Sequence, residues 1–125
     1  MASKRPSAAI GHVVHRVGNV AKAADFYESL GLRSIMRATG MAILEMRGGT
    51  HLLLMKGKAA RTKRRAGFDL MVEDVHAFRR SLARKKVPMS EIEGHKQSGH
   101  ELFEVTAPDG HRVLVFSSHA GNRPV

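Results

Sequence analysis

The sequence predicts an α+β fold made of two tandem copies of one strand-helix-hairpin module, and two internal matches carry that prediction. The run Gly11-His12-Val13-Val14-His15-Arg16-Val17-Gly18-Asn19-Val20, leading into Ala23, Tyr27 and Leu30, has the apolar rhythm of Ala66-Gly67-Phe68-Asp69-Leu70-Met71-Val72-Glu73-Asp74-Val75, leading into Phe78 and Leu82, at a constant offset of 55. The segments Leu44 to Met55 and Val105 to Phe116 match at a constant offset of 61, with Gly49 on Gly110, Leu53 on Leu114 and Met55 on Phe116. Self-similarity at a fixed spacing marks a repeated structural unit. In a duplicated module, function tends to sit where the two copies face each other.

The elements follow in order. Residues 1–8 are small and polar and read as a flexible lead. Ile10 to Val17 is strand-like, with His12, Val14 and Arg16 on one face and Val13, His15 and Val17 on the other. Asn19 is placed to cap a helix whose buried stripe is Val20, Ala23, Tyr27 and Leu30, and Gly31 to stop it. Leu32 to Ala38 and Met41 to Arg47 read as strands, and Gly48-Gly49 as a tight hairpin into a strand from Thr50 to Met55. The second copy repeats the order. Phe68 to Val72 is a strand, Asp74 caps a helix burying Val75, Phe78 and Leu82, and Pro88 lies past its end. A short polar element around Ser90 to His95 has little periodicity. Leu102 to Ala107 and Arg112 to Ser117 form a hairpin about Pro108-Asp109-Gly110, and 119–125 is a flexible tail.

At 125 residues with 42% hydrophobic and 26% charged residues, the chain has the composition of a soluble domain, and it is placed in the cytoplasm. No apolar run approaches the ~20 residues that span a bilayer. With no cysteine, thiolate chemistry, disulfides and cysteine metal sites are excluded. The net charge of +10 raises the question of a polyanion partner. Much of it lies in a linker (Lys56, Lys58, Arg61, Lys63, Arg64, Arg65) and on the second helix (Arg79, Arg80, Arg84, Lys85, Lys86), which also suits a solvated basic face. Aromatic content is 5% with no Trp, so nucleic-acid bases find little stacking platform.

Three motifs in order, Ile10-Gly11-His12-Val13, Asp25-Phe26-Tyr27 with Leu30-Gly31-Leu32, and Ala107-Pro108-Asp109-Gly110-His111-Arg112, resemble the vicinal oxygen chelate (VOC) superfamily. That superfamily includes glyoxalase I, bleomycin resistance proteins, fosfomycin resistance enzymes and extradiol dioxygenases. The resemblance covers residues 9–118 and implies a single VOC domain of two βαβββ modules, about 9–56 and 66–118, each curling into an incomplete barrel. It further implies that two chains pair as a homodimer to complete two cavities. Catalytic members hold a divalent metal with His and Glu side chains, and the matching positions here are His12, Leu53, Gly67 and Leu114. Of these only His12 can coordinate, whereas a facial site needs about three protein ligands.

Pairing about Gly48-Gly49 puts Met46 opposite His51 and Leu44 opposite Leu53. On that register His51 shares the face of Leu53, Arg112 that of Leu114, and Asp69 that of Gly67. His12, His51 and Asp69 then offer three metal ligands by an unusual route, although a two-residue step moves a ligand some 6.6 Å along a strand. The inward set is expected to be Val14, Leu44, Met46, Leu53, Met55, Met71, Phe103, Val105, Leu114 and Phe116, with His12, Arg16, His51, Asp69, Glu101 and Arg112 as its polar members. An apolar pocket with a few convergent polar groups is the usual form of a small-molecule site.

Arg16 suits a bidentate grip on a carboxylate or phosphate, or an ion pair with Asp69 or Glu101. His12 and Asp69 are candidates for a catalytic proton-transfer dyad. Arg16, His51, Met55, Met71, Phe103, Arg112 and Phe116 are the candidate ligand contacts. His15 reads as structural, and His76, His95, His100, His111 and His119 as solvated. The leading reading is a small-molecule binding protein with a degenerate metal site and no cofactor, favouring an anionic or amphiphilic ligand. The alternatives are a metal-dependent glyoxalase or other lyase, a transferase or dioxygenase with displaced ligands, a metal-free acid/base enzyme, and a polyanion-binding module.

Overall fold

The computed structural model describes residues 4–58, 65–97 and 99–118. The expected tail 119–125 and the linker cations Arg61, Lys63 and Arg64 lie outside them. The first module runs β1 (His12–Val17), α1 (Val20–Ser29), β2 (Arg33–Arg37), β3 (Met41–Glu45) and β4 (His51–Lys56). The second runs β5 (Leu70–Val72), α2 (Val75–Ala83), β6 (Glu93–Gly94), β7 (Glu101–Thr106) and β8 (Arg112–Ser117). The sheets have orders β1-β4-β3-β2 and β5-β8-β7-β6, the same βαβββ connectivity twice. In each, the first strand of the module pairs in parallel with the last, and the remaining pairs are antiparallel.

Both helices begin where a short acceptor side chain can take an otherwise orphaned N–H. The Asn19 carboxamide oxygen accepts from the Lys22 amide at 3.0 Å, and the Asp74 carboxylate from the Ala77 amide at 2.9 Å. Gly31, at φ +100°, turns the chain out of α1 into β2. The weakly periodic segment after α2 contributes the two-residue β6 and, just before it, a bridge from Met89 to Val105.

Each helix covers one face of its own sheet. The core holds Val17, Ala24, Tyr27 and Leu30 with Ala42, Leu44, Leu52 and Leu54 in the first module, and Val75, Leu82, Phe103, Val105, Val113 and Val115 in the second. The opposite faces carry His12, Val14, Arg16, Met41, Ile43, His51, Leu53 and Met55, and Asp69, Met71, Leu102, Glu104, Arg112, Leu114 and Phe116. Their strand partners fix this alternation.

The observed register corrects the expected lining. Gly48-Gly49 is not a two-residue hairpin. Arg47–Gly49 form a single 3-10 turn, closed by the Met46 amide donating to the Thr50 carbonyl at 2.7 Å. Glu45 therefore lies opposite His51, and Ile43 opposite Leu53. The second hairpin also uses three residues, with the Ala107 amide donating to the His111 carbonyl at 2.8 Å. Because side chains alternate with period 2, a slip of one residue exchanges the faces of a strand. Leu44, Phe103 and Val105 thus belong to the helix-side core, Met46 packs against it, and Glu101 leaves the open face to meet His76 of α2 at 2.8 Å.

The two faces are predicted to respond differently to truncation. Leu54→Ala should cost about 2–5 kcal/mol in urea unfolding, whereas Leu53→Ala, one residue away on the half-open face, should cost clearly less. Equal costs would contradict the assignment of faces.

Candidate functional site

Two regions gather chemistry-bearing side chains: the open face of the sheets and a buried cluster between the modules. On the open face, parallel pairing of β1 with β4 sets His12 beside His51, with ring centroids 5.7 Å apart. The His51 Nε2 lies 3.4 Å from a carboxylate oxygen of Glu45, its partner across β3, and Glu45 also pairs with Arg33. Further along, Val14 pairs with Leu53 and Arg16 with Met55. Arg16 is exposed and makes no ion pair with a described residue, so neither Asp69 nor Glu101 neutralises it. Its stem lies against Gly57, where an added Cβ would sit 3.2 Å from Arg16 Cδ.

On the second sheet, Glu104 accepts from Arg65 at 3.2 Å and lies 3.7 Å from Arg112. Asp69, Gly67, Arg65, Arg112 and Leu114 line a hollow of about 330 Å³. A broader groove of about 860 Å³ runs between the modules past Ile10, Met46, Asp69 and Met71 to Phe78. Asp69 has no hydrogen bond or ion pair with His12. The large apolar residues Val14 and Met71 are 56% and 52% exposed. Phe103 is 1% exposed and packs against the tilted ring of Phe78 on the helix side, so it is not part of this lining.

The buried cluster comprises residues read from the sequence as structural or solvated. His15, on the helix side of β1, and His111, immediately before β8, are 7% and 8% exposed. Their rings meet edge-to-face at 4.7 Å, and His15 also contacts Phe68 and Tyr27. Asp109 binds His111 twice, through the ring Nδ1 at 2.6 Å and the backbone amide at 3.0 Å. The expectation of a solvated His111 is therefore corrected, because the β7–β8 loop tucks against the first module.

Sequence reasoning missed His111 and Asp109 because their burial comes from a contact between modules. One local signal was available, namely a histidine at position 15 between Val13 and Val17 on the apolar face of β1. The His15 Nε2 and the Tyr27 hydroxyl are buried without a hydrogen-bond partner. Burial first, and then the neighbouring His111, holds the His15 pKa below its ordinary 6.5. Burial, reinforced by the Asp109 charge, pushes the Tyr27 hydroxyl well above its ordinary value.

Comparison with known proteins agrees with this architecture. The family model of the Glyoxalase/Bleomycin resistance protein/Dioxygenase superfamily matches residues 9–115, and the chain belongs to that superfamily. Among solved structures it is similar to an integron cassette protein from the Halifax Harbour sewage-outfall metagenome, with TM-score 0.75 and 18% identity over 88% of this chain and 98% of that one. It is also similar to the lactoylglutathione lyase of Agrobacterium tumefaciens, with TM-score 0.74 and 16% identity over 94% and 99% of the two chains. A bleomycin resistance determinant encoded on the transposon Tn5 follows at 0.68 and 18%, over 90% and 99%. At these identities the likeness shows the fold. Comparison with curated proteins gives no match.

The superfamily's metal does not fit its usual place here. Leu53 and Leu114 occupy β4 and β8 and Gly67 precedes β5, so three of the four matching positions offer no side-chain donor. The displaced trio His12, His51 and Asp69 is not brought to one point. Among the described residues, the grouping of three potential ligands with all ligand atoms within 4.8 Å is His15, Asp109 and His111.

The lowered His15 pKa fixes the sign of a pH effect. The unfolded chain takes up the proton near 6.5 and the folded chain only at lower pH, so this contribution is fully present above 6.5 and is lost as pH falls below it. Urea unfolding at a series of pH values should show stability declining through this window. His15→Leu should flatten the decline, and an unchanged slope in the variant would contradict the assignment.

Proposed function

We propose that the chain is a VOC-superfamily binding protein that holds a small amphiphilic or anionic ligand on the open faces of its sheets, without a metal at the superfamily's usual position. The observation that carries this reading is Arg16, an arginine without a carboxylate partner among the described residues, set in a row of apolar side chains. Val14, Leu53, Met55, Ile43 and Met41 surround it on the first sheet, and Met71, Leu114 and Phe116 continue the apolar surface on the second. Covering such surface releases water and gains roughly 25 cal/mol per Å². A guanidinium at its edge favours a carboxylate or phosphate head through two parallel hydrogen bonds. Met55 and Met71 supply an adaptable lining. His12, His51 and Arg112 add polar contacts in the same reading, and a second copy of the chain closes the cavity as a homodimer.

The metal-dependent enzyme remains a second reading because His12, His51 and Glu45 are neighbours on this face. Metal-free acid/base work by His12 with Asp69 draws less support, since the two are not bonded. Polyanion binding through α2 and the turn after it is disfavoured by two cations having internal roles, Arg79 in the helix and Lys85 past its end. Arg79 donates to the Ser90 carbonyl at 3.0 Å, and Lys85 to the Ser29 carbonyl at 2.8 Å.

Medium-chain alkyl and aryl carboxylates should raise the thermal midpoint of untagged protein, and their uncharged primary amides should do so much less. Arg16→Ala should weaken carboxylate binding by about tenfold or more. Equal responses to acid and amide, or indifference to Arg16→Ala, would overturn the anionic-ligand reading. Stoichiometric metal lost on His12→Ala would favour the second reading instead.

A further inference from the structure

We infer that His15, Asp109 and His111 form a divalent transition-metal site, separate from the open face, that ties the first module to the second. The inference is independent of the ligand reading above. Its three side chains come from β1 and from the loop and first turn of the β7–β8 hairpin, so one ion would join segments almost a hundred residues apart in sequence. Their ligand atoms already lie within 4.8 Å of one another. In a tetrahedral site with bonds of about 2.0–2.1 Å, ligand atoms stand about 3.3 Å apart, so side-chain rotation supplies the remaining closure.

The second observation is the orphaned nitrogen. His15 Nε2 is buried in a residue 7% exposed and finds no hydrogen-bond partner among the described residues. A buried polar atom left in that state is destabilising, and a coordinated cation would remove that cost. The Tyr27 hydroxyl, likewise buried and unpartnered, packs beside the same imidazole. The Asp109 Oδ2 and the His111 Nδ1 already face each other at 2.6 Å, so an ion that replaces the proton between them would be held by both, with the His15 imidazole as the third ligand.

A cavity of about 260 Å³, lined by Val17, Asn19, Tyr27, Ala107 and Asp109 among others, adjoins the cluster and offers a route for the ion and space for water at a remaining position. Two imidazoles and a carboxylate, with no thiolate, suit zinc, cobalt(II), nickel or copper(II) rather than magnesium or calcium.

The test uses untagged full-length protein stripped of metal and titrated with zinc and with cobalt(II). Binding is followed by calorimetry, thermal unfolding and the visible absorption of cobalt. One ion per chain is expected, with a rise in thermal midpoint of about 10 °C at a hundredfold excess over Kd. His15→Leu, which keeps the site apolar and packed, should abolish the cobalt spectrum and the zinc-induced rise. His111→Asn, a second probe that retains a hydrogen-bonding side chain, should weaken binding at least tenfold, and His12→Ala should leave it intact. Absence of binding by the wild type would overturn the inference. So would binding that survives His15→Leu and His111→Asn, or binding lost with His12→Ala, which would place the ion on the open face.

Discussion

One helix can cover only one face of a four-stranded sheet, and each module has one helix. The rest of the structure depends on that limit. In each sheet the helix-side face takes the aliphatic side chains of alternate positions and becomes the dry core, with Leu44, Leu52 and Leu54 in one copy and Val105, Val113 and Val115 in the other. The other face is left without a layer of its own, although Leu53, Met55, Leu114 and Phe116 are too apolar to be indifferent to water. The uncovered face is the place at which a ligand, a second chain or both can be accommodated. In the proposed reading, the helices define the site by what they fail to cover.

The join between the modules follows a different logic. Aromatic contacts of Tyr27, Phe68, His15 and His111 hold the copies together, and Asp109 is drawn into the same contact by the tight turn that ends at Gly110. Hydrocarbon at these positions would pack at lower polar cost. Two imidazoles and a carboxylate, with one imidazole nitrogen unsatisfied, give this junction a sensitivity to protons and metal ions that an apolar seam would lack. The open face and the junction lie on opposite sides of β1: His12, Val14 and Arg16 serve one, while His15 and Val17 serve the other. A single six-residue strand carries both.

Much of the fold was legible because the duplication repeats a local pattern. Offsets of 55 and 61, the caps Asn19 and Asp74, and the alternation of β1 all depend on residues close in sequence. The strand faces of β3 and β7 were less accessible, because they depend on the number of residues in a hairpin turn. Gly48-Gly49 suggested two, whereas Arg47 joins them to make three, and that one-residue difference moved Leu44 from the expected cavity to the core; pairing with Val115 and Val113 places Phe103 and Val105 there as well. Pro108-Asp109-Gly110 was read correctly as a turn. Its burial against His15 was not legible, since nothing local distinguishes a solvated loop from one packed against another module. Among the site residues, the placement of His12 and His51 on the open side followed from strand alternation, whereas their adjacency comes from the parallel pairing of β1 with β4. The placement of Asp69 away from His12 is a matter of how two sheets are set against each other, which a one-dimensional pattern does not contain.

The central claim is that the uncovered sheet faces form the ligand site. The most direct measurement is methyl NMR of methionine-labelled protein titrated with decanoate. The Met55 and Met71 methyl resonances are expected to shift in a saturable manner, while that of Met89, packed against the helix-side core, stays in place. A shift confined to Met89, or no saturable shift at Met55 and Met71, would contradict the claim.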